Sequence, residues 1–278
     1  MFTIYIFSSG AYMYSGDERD TFAVGNAIIT QQPVPGYVAG QTRTGPDNGF
    51  PICQNGILCS QYTIGHSITF IPFIIFQKIF HPLPSNLFWY NSSPEMTFTA
   101  LFYGPIVSAL TVAVFYLVLR EFQFRIKTSI LVSFIFGLCT MVWPFSQTSF
   151  NIPPMILLSL CGFLYFVKFQ KTKKRLPIFL AGVFYAASFQ IREDAILFVL
   201  MVCLYLVIQC ILKKNKVQNI FIFLVPVIIS AAIFGLLDFI RFGSVFETGY
   251  GSLELLSGHS TPIGEGLFAI LFSPGYGL

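Results

Sequence analysis

Charge is what this chain has least of. Only 10% of its 278 residues are Asp, Glu, Lys or Arg, where a soluble domain of this size carries about 25%. The shortage excludes an ordinary water-soluble enzyme and a disordered tail. Nucleic acid needs a basic, solvated face, but the longest basic run, Lys171 to Arg175, lies between two apolar stretches. No phosphate-cradling glycine loop, dinucleotide fingerprint, nucleophile elbow or CxxC pair occurs. Their absence argues against an ATP-driven pump domain or a redox enzyme in this stretch. His66 and His259 are single and lack metal-ligand spacing, so zinc has little support. Internal repeats and low-complexity segments are also missing. Six cysteines do not make a disulfide scaffold: Cys139, Cys161, Cys203 and Cys210 lie in apolar segments and read as small hydrophobes. Cys53 and Cys59 share one polar loop, either as a bridge facing an oxidising compartment or as two thiols.

What the chain does have is apolar surface. Hydrophobic residues make up 55%, with 33 Phe and 13 Tyr, and the mean hydropathy is +0.72. This composition identifies an integral membrane protein. A span needs about 20 apolar residues to cross a ~30 Å core. Residues 98–119, 129–147, 153–167, 195–212 and 220–237 meet or approach that length, and the shorter 176–191 is uncharged. The opening segment, residues 2–14, contains Ser8, Ser9 and Gly10 and has no basic flank, so a cleaved signal peptide is not expected. Its shortness leads to the expectation that the chain is a fragment.

Charge placement gives an orientation. Three short connections, around Arg120 to Lys127, Lys168 to Arg175 and Lys213 to Lys216, hold eleven of the 16 positive residues and one acid, Glu121. The positive-inside rule makes them cytoplasmic. The connections between them, and everything after residue 237, then face outward. Residues 68–80 are apolar but only 13 long and broken by Pro72, which reads as an interfacial or re-entrant helix. The expected fold class is an all-α polytopic helical bundle of about seven spans. Its parts are a first transmembrane segment at 1–14, an external loop with juxtamembrane helices at 15–97, six spans within 98–237 and a second external loop at 238–278. Residues 17–29 read as a short surface helix, residues 31–51 as loop, and Asn91-Ser92-Ser93 as a glycosylation sequon.

Ionisable groups beside hydrocarbon are costly and tend to mark function. On the outer side they gather at span ends: Asp17, Glu18, His66, Arg192, Glu193, Asp194, Asp238, Arg241 and Glu247 among them. Ser15-Gly16-Asp17-Glu18 follows the first apolar segment directly. Asp17 there can act as general base towards an acceptor hydroxyl, with Glu18 orienting it or holding a divalent cation. The plainer alternative is a solvated acidic loop beside Arg19. Arg192, Glu193 and Asp194 interrupt an apolar run, either as a turn with an internal ion pair or as a guanidinium offered to a phosphate. Arg241 is a second phosphate candidate or an interfacial anchor. Trp143-Pro144-Phe145 suits an interfacial aromatic belt.

Together these elements resemble the GT-C type of polytopic glycosyltransferase, similar to protein O-mannosyltransferases and lipid A aminoarabinose transferases. Ser15-Gly16-Asp17-Glu18 resembles the acidic motif opening that family's first external loop. Asn55-Gly56, the run from Ser60 to His66 and Ile71-Pro72-Phe73 resemble its juxtamembrane helix. Trp143-Pro144-Phe145-Ser146, Phe150 and Pro153 resemble its outer-face turn, and Gln190-Ile191-Arg192 with Asp194-Ala195 its Arg-x-Asp turn. Arg241-Phe242-Gly243-Ser244, Glu247-Thr248-Gly249-Tyr250 and Ser273-Pro274-Gly275 resemble the loop after its later spans.

The resemblance implies transfer of a sugar, with inversion, from a polyprenyl-phosphate donor to a glycan, lipid or protein acceptor at the extracytoplasmic face of the cell membrane. By that likeness Asp17 is the base and Glu18 its assistant. Gln61, Tyr62, Arg192 and Arg241 hold the donor phosphate, and His66, Asp194 and Glu247 support them. Gln61 stands where relatives commonly carry a basic residue, and Ile152 where many carry an acid. Relatives also continue beyond residue 278 into further spans. The other classes considered are a non-catalytic membrane scaffold and a transporter, the latter calling for ionisable groups at mid-span.

Overall fold

The computed structural model describes residues 1–31, 60, 62–81, 93–245 and 262–272. Its regular elements are helices, and no strand occurs among the described residues. In chain order they are α1 (Phe2–Ser8), α2 (Gly16–Thr30), α3 (Ile64–Phe80), α4 (Pro94–Glu121), α5 (Ile126–Leu138), α6 (Val142–Ser146), α7 (Ile152–Thr172), α8 (Arg175–Ile191), a 3-10 turn (Glu193–Ala195), α9 (Ile196–Ile211), α10 (Val217–Phe242) and α11 (Ile263–Phe272).

Helix starts follow local chemistry. Ser15 caps α2 by accepting from Glu18 N at 3.2 Å, and Ser93 caps α4 by accepting from Met96 N at 3.2 Å, with Pro94 at the first helical position. The α10 helix stops at Gly243, whose φ of 82° is the left-handed conformation that glycine adopts without penalty.

Four helical stretches among the described residues are long and apolar enough to cross a membrane: α4, α7, residues Glu193–Ile211 and α10. The outward faces of α9 and α10 are apolar: Leu197, Leu200, Met201, Leu204, Phe221 and Ile228 are each more than half exposed. Such faces suit lipid rather than water. Shorter apolar helices are α3 (17 residues), α5 (13) and α8 (17).

Two expected spans take a different form. Residues 2–14 are helical only over Phe2–Ser8, because Ser9, Gly10 and a left-handed Ala11 end the helix. Residues 129–147 are not one helix: α5 stops at Leu138, and α6 resumes for only five residues around Pro144. Residues 17–29 are helical within α2, and residues 68–80 within α3, which starts four residues earlier.

Three packed clusters hold the bundle. One joins α7, α8, α9 and α10 through Phe169, Ile178, Leu206 and Phe223, all fully buried. Here Gly182 lets α8 approach the Phe223 carbonyl and Pro226 of α10. A second joins α2 and α3 to the beginning of α4 through Phe22, Phe70, Ile74 and Tyr103. A third seats α1 on α4, α5 and α6 through Tyr5, whose hydroxyl donates to the Gly137 carbonyl at 2.8 Å. The aromatic contacts between α3 and α4 run from Phe70 on Tyr103 to Phe76 on Phe98. The α3 helix therefore covers the start of α4 and does not follow it towards Glu121.

The basic turns meet at one end. Lys171 pairs with Glu121 at 3.1 Å, which ties the α7–α8 turn to the end of α4, and Arg175 donates to Gln218 at the start of α10 at 3.0 Å. The other end carries the polar cavity described next.

Candidate functional site

A cavity of about 520 Å³ opens at the end of the bundle opposite the lysines. Its wall is made where helices begin. The first two turns of α2 contribute Asp17, Glu18 and Thr21, and the start of α3 contributes Thr63 and His66. Asn151 and Ile152 come from the start of α7, and Glu193 and Asp194 from the 3-10 turn ahead of α9. Tyr62, Phe145, Phe150, Ile191 and Arg192 complete the lining. Helix N-termini present unpaired N–H groups and the positive end of the helix dipole. They offset the four carboxylates around Arg192, the one lining guanidinium.

Short polar ties lock the wall. Arg192 Nε and Nη2 hold the Asp194 carboxylate at 2.9 to 3.2 Å, and Nη1 donates to Asn151 Oδ1 at 2.9 Å. A guanidinium has five N–H donors, so two have no acceptor among the described residues. The Thr63 hydroxyl donates to the Ile191 carbonyl at 2.7 Å, joining α3 to the end of α8. Gly65 lies against the same strand of backbone: an added Cβ there would overlap the Gln190 carbonyl.

Glu18 takes a different place from the one its sequence suggested. It is fully buried, and its two oxygens accept from Tyr14 N at 2.8 Å and Ser149 N at 3.2 Å. With Ser15 at the cap and Glu18 three residues on, the segment forms a variant of the reciprocal capping box, extended across to the 146–151 turn. Loss of solvent raises its pKa from the usual 4.5 to about 6, against the backbone hydrogen bonds that lower it. Glu18 is thus a staple beside the base candidate. Asp17, its neighbour, is exposed and faces the cavity.

Of the other residues expected at the site, Tyr62, His66, Arg192 and Asp194 line this same cavity. Arg241 does not line it. Its Nη1 donates to the carbonyls of Ser60 at 3.3 Å and Tyr62 at 3.0 Å, and Nη2 holds the buried Asp238 at 2.5 Å. A guanidinium so engaged braces the end of α10 against residues 60–62 instead of reaching a phosphate. Gln61, Glu247, Cys53, Cys59, Asn91, Ser92 and His259 lie outside the described residues. Trp143 donates to Ser8 Oγ at 3.2 Å, joining α6 to α1.

The sequence reading missed Asn151, Thr63 and Ser149. Asn151 stands directly before Ile152-Pro153-Pro154, and a helix start was legible there from the prolines. Nothing local pointed to its bond with Arg192. As for a cation near Asp17 and Glu18, the Glu18 oxygens already accept backbone N–H groups, so Asp17 is the carboxylate of that pair open to the cavity. Among the described residues, no group of three or more His, Cys, Asp or Glu side chains is placed to hold a metal ion.

Compared with known proteins, the chain matches no family model, no curated protein and no solved structure.

Proposed function

We propose that the chain is a membrane glycosyltransferase of the GT-C type. It takes a sugar from a polyprenyl-phosphate donor and passes it to a hydroxyl acceptor at the outer face of the cell membrane. The observation that carries this reading is the joint presence of Asp17 and Arg192 on one polar cavity, at the end opposite the basic turns. In this reading α4, α5, α7, α8, α9 and α10 cross in alternation, α1 enters as a half-length segment, and α2 and α3 rest at the surface.

The reaction needs little covalent machinery. The Asp17 carboxylate accepts the proton of the acceptor hydroxyl as its oxygen attacks the anomeric carbon. A new C–O bond forms, the bond from that carbon to the phosphate oxygen breaks, and the electron pair leaves with the polyprenyl phosphate. Configuration inverts. The two remaining Arg192 donors bind phosphate oxygens, held in aim by Asp194 and Asn151. Asp17→Asn in the purified full chain, assayed for sugar release from a polyprenyl-phosphate sugar, is expected to lower turnover by at least a hundredfold, within the span usual for a general base. Undiminished turnover removes Asp17 from the mechanism.

A second reading, a non-catalytic membrane scaffold, is favoured by the partners of the two arginines. Arg192 and Arg241 are both engaged by the chain's own acceptors. No turnover by the unmutated chain on any polyprenyl-phosphate sugar favours it.

A further inference from the structure

The basic end of the bundle holds far more positive charge than the chain itself can pair. The one acid of its three connections, Glu121, lies 3.1 Å from Lys171 and 4.0 Å from Lys168. Lys174, Lys213, Lys214 and Lys216 are exposed, and their ammonium groups have no acceptor among the described residues. Arg175 draws together the two turns that carry them, donating to Gln218 at 3.0 Å.

An exposed lysine is usually satisfied by water alone. These four differ in having an apolar collar beside them. Leu176, Ile211, Leu212 and Val217 each stand within two residues of one of these lysines and are more than half exposed. A collar of that kind suits hydrocarbon and not water. With α9 and α10 across a bilayer, the ammonium groups therefore stand where hydrocarbon gives way to headgroups. Their stems can follow the collar while the charge points outward. At that depth the anion within reach is lipid phosphate.

We propose that the α7–α8 and α9–α10 turns form a docking surface for the headgroups of anionic phospholipids in the leaflet at this end of the bundle. Sugar transfer plays no part in it. A zwitterionic headgroup carries its own cation beside the phosphate, so an anionic one gains more from the lysines. A soluble acidic partner would have to displace headgroups already seated beside the collar. One lysine near an anionic leaflet favours association roughly fivefold.

The test uses the full chain reconstituted in phosphatidylcholine vesicles with a trace of spin-labelled phosphatidylglycerol or spin-labelled phosphatidylcholine. The immobilised fraction of each label gives its relative association with the protein surface. At low salt the phosphatidylglycerol label is expected to be favoured about threefold, the effect of a near cation diluted by lipid elsewhere around the bundle. In 1 M salt, where the screening length falls to about 3 Å, the preference should mostly vanish. Lys174→Gln/Lys213→Gln/Lys214→Gln/Lys216→Gln should bring it below about twofold at low salt, whereas arginine at the same four positions should preserve it. If the glutamine variant does not insert, the salt series and the arginine variant decide. Equal association of the two labels in the unmutated chain, a preference indifferent to salt, or one that survives the glutamine exchange overturns the proposal. So does displacement of the label by millimolar inorganic phosphate at constant ionic strength, which would assign the lysines to a soluble anion.

Discussion

Glutamine at position 18 keeps the shape of the side chain and removes its charge, so the pH dependence of stability isolates what that charge does. The folded-state pKa of Glu18 lies at about 6 against 4.5 for the free group. An acid whose pKa is raised on folding holds its proton more tightly in the native state, so the native state is favoured most below pH 4.5. That advantage is lost as pH climbs through 6. The difference of 1.5 units corresponds to about 2 kcal/mol. Glutamine resembles the protonated acid and removes this slope. A second effect does not depend on pH: the amide turns an NH2 towards either Tyr14 N or Ser149 N, leaving a buried donor unmatched at a cost of about 1–3 kcal/mol. The stability of Glu18→Gln minus that of the unmutated chain should therefore rise by about 2 kcal/mol between pH 4.5 and 7. Equilibrium unfolding in mixed micelles at a series of pH values measures it. A difference that stays constant over that range would refute the account of Glu18 as a desolvated carboxylate stapling two turns.

Gly65→Ala should force the start of α3 away from the Gln190 carbonyl and destabilise the chain by about 1–3 kcal/mol, whereas Gly16→Ala, with nothing within 4 Å of the added Cβ, should be close to neutral. Thermal unfolding of the pair checks this, and equal midpoints would contradict it. Arg241→Met removes the guanidinium beside the buried Asp238 and should cost about 3 kcal/mol, most of it regained in the double variant Asp238→Leu/Arg241→Met; additive losses would show that the pair is not coupled. Asp17→Cys and Lys173→Cys, each in a background without other cysteines, should react with an impermeant maleimide from opposite sides of sealed vesicles. Labelling of both from one side overturns the orientation on which the proposed function depends.

Much of the helical architecture was legible because hydropathy reports length. The stretch 98–119 lies within α4, 176–191 matches α8 nearly end to end, and residues 17–29 fall within α2. Hydropathy was blind where an apolar run bends. The run 129–147 stays apolar through Cys139 and Thr140, yet the helix breaks there and restarts at Val142. The grouping of Asp17 with Arg192 follows from charge placement, since both stand at helix ends away from the lysines. Partner choice within the site was not legible. The spacing of Ser15 and Glu18 carries a capping signature that explains Glu18 better than catalysis does. The pairing of Arg192 with Asn151 spans 41 positions of sequence, and no short-range pattern encodes it. Arg241 shows the converse, a residue of the right type at the right end whose donors are taken by carbonyls.

One dimension of the fold bears on how the protein meets its surroundings. The 28 residues of α4 measure about 42 Å, roughly 12 Å more than the hydrocarbon they would cross. Gly104 rests on the Ser146 and Thr148 carbonyls, and α3 packs on the part of α4 ahead of it through Phe98 and Tyr103. The helix is a mast and the polar cavity lies at its top. Its freeboard is set by leaflet thickness: a thick, sterol-rich bilayer would draw the headgroups up around α2 and α3, and a thin one would leave them standing clear in water.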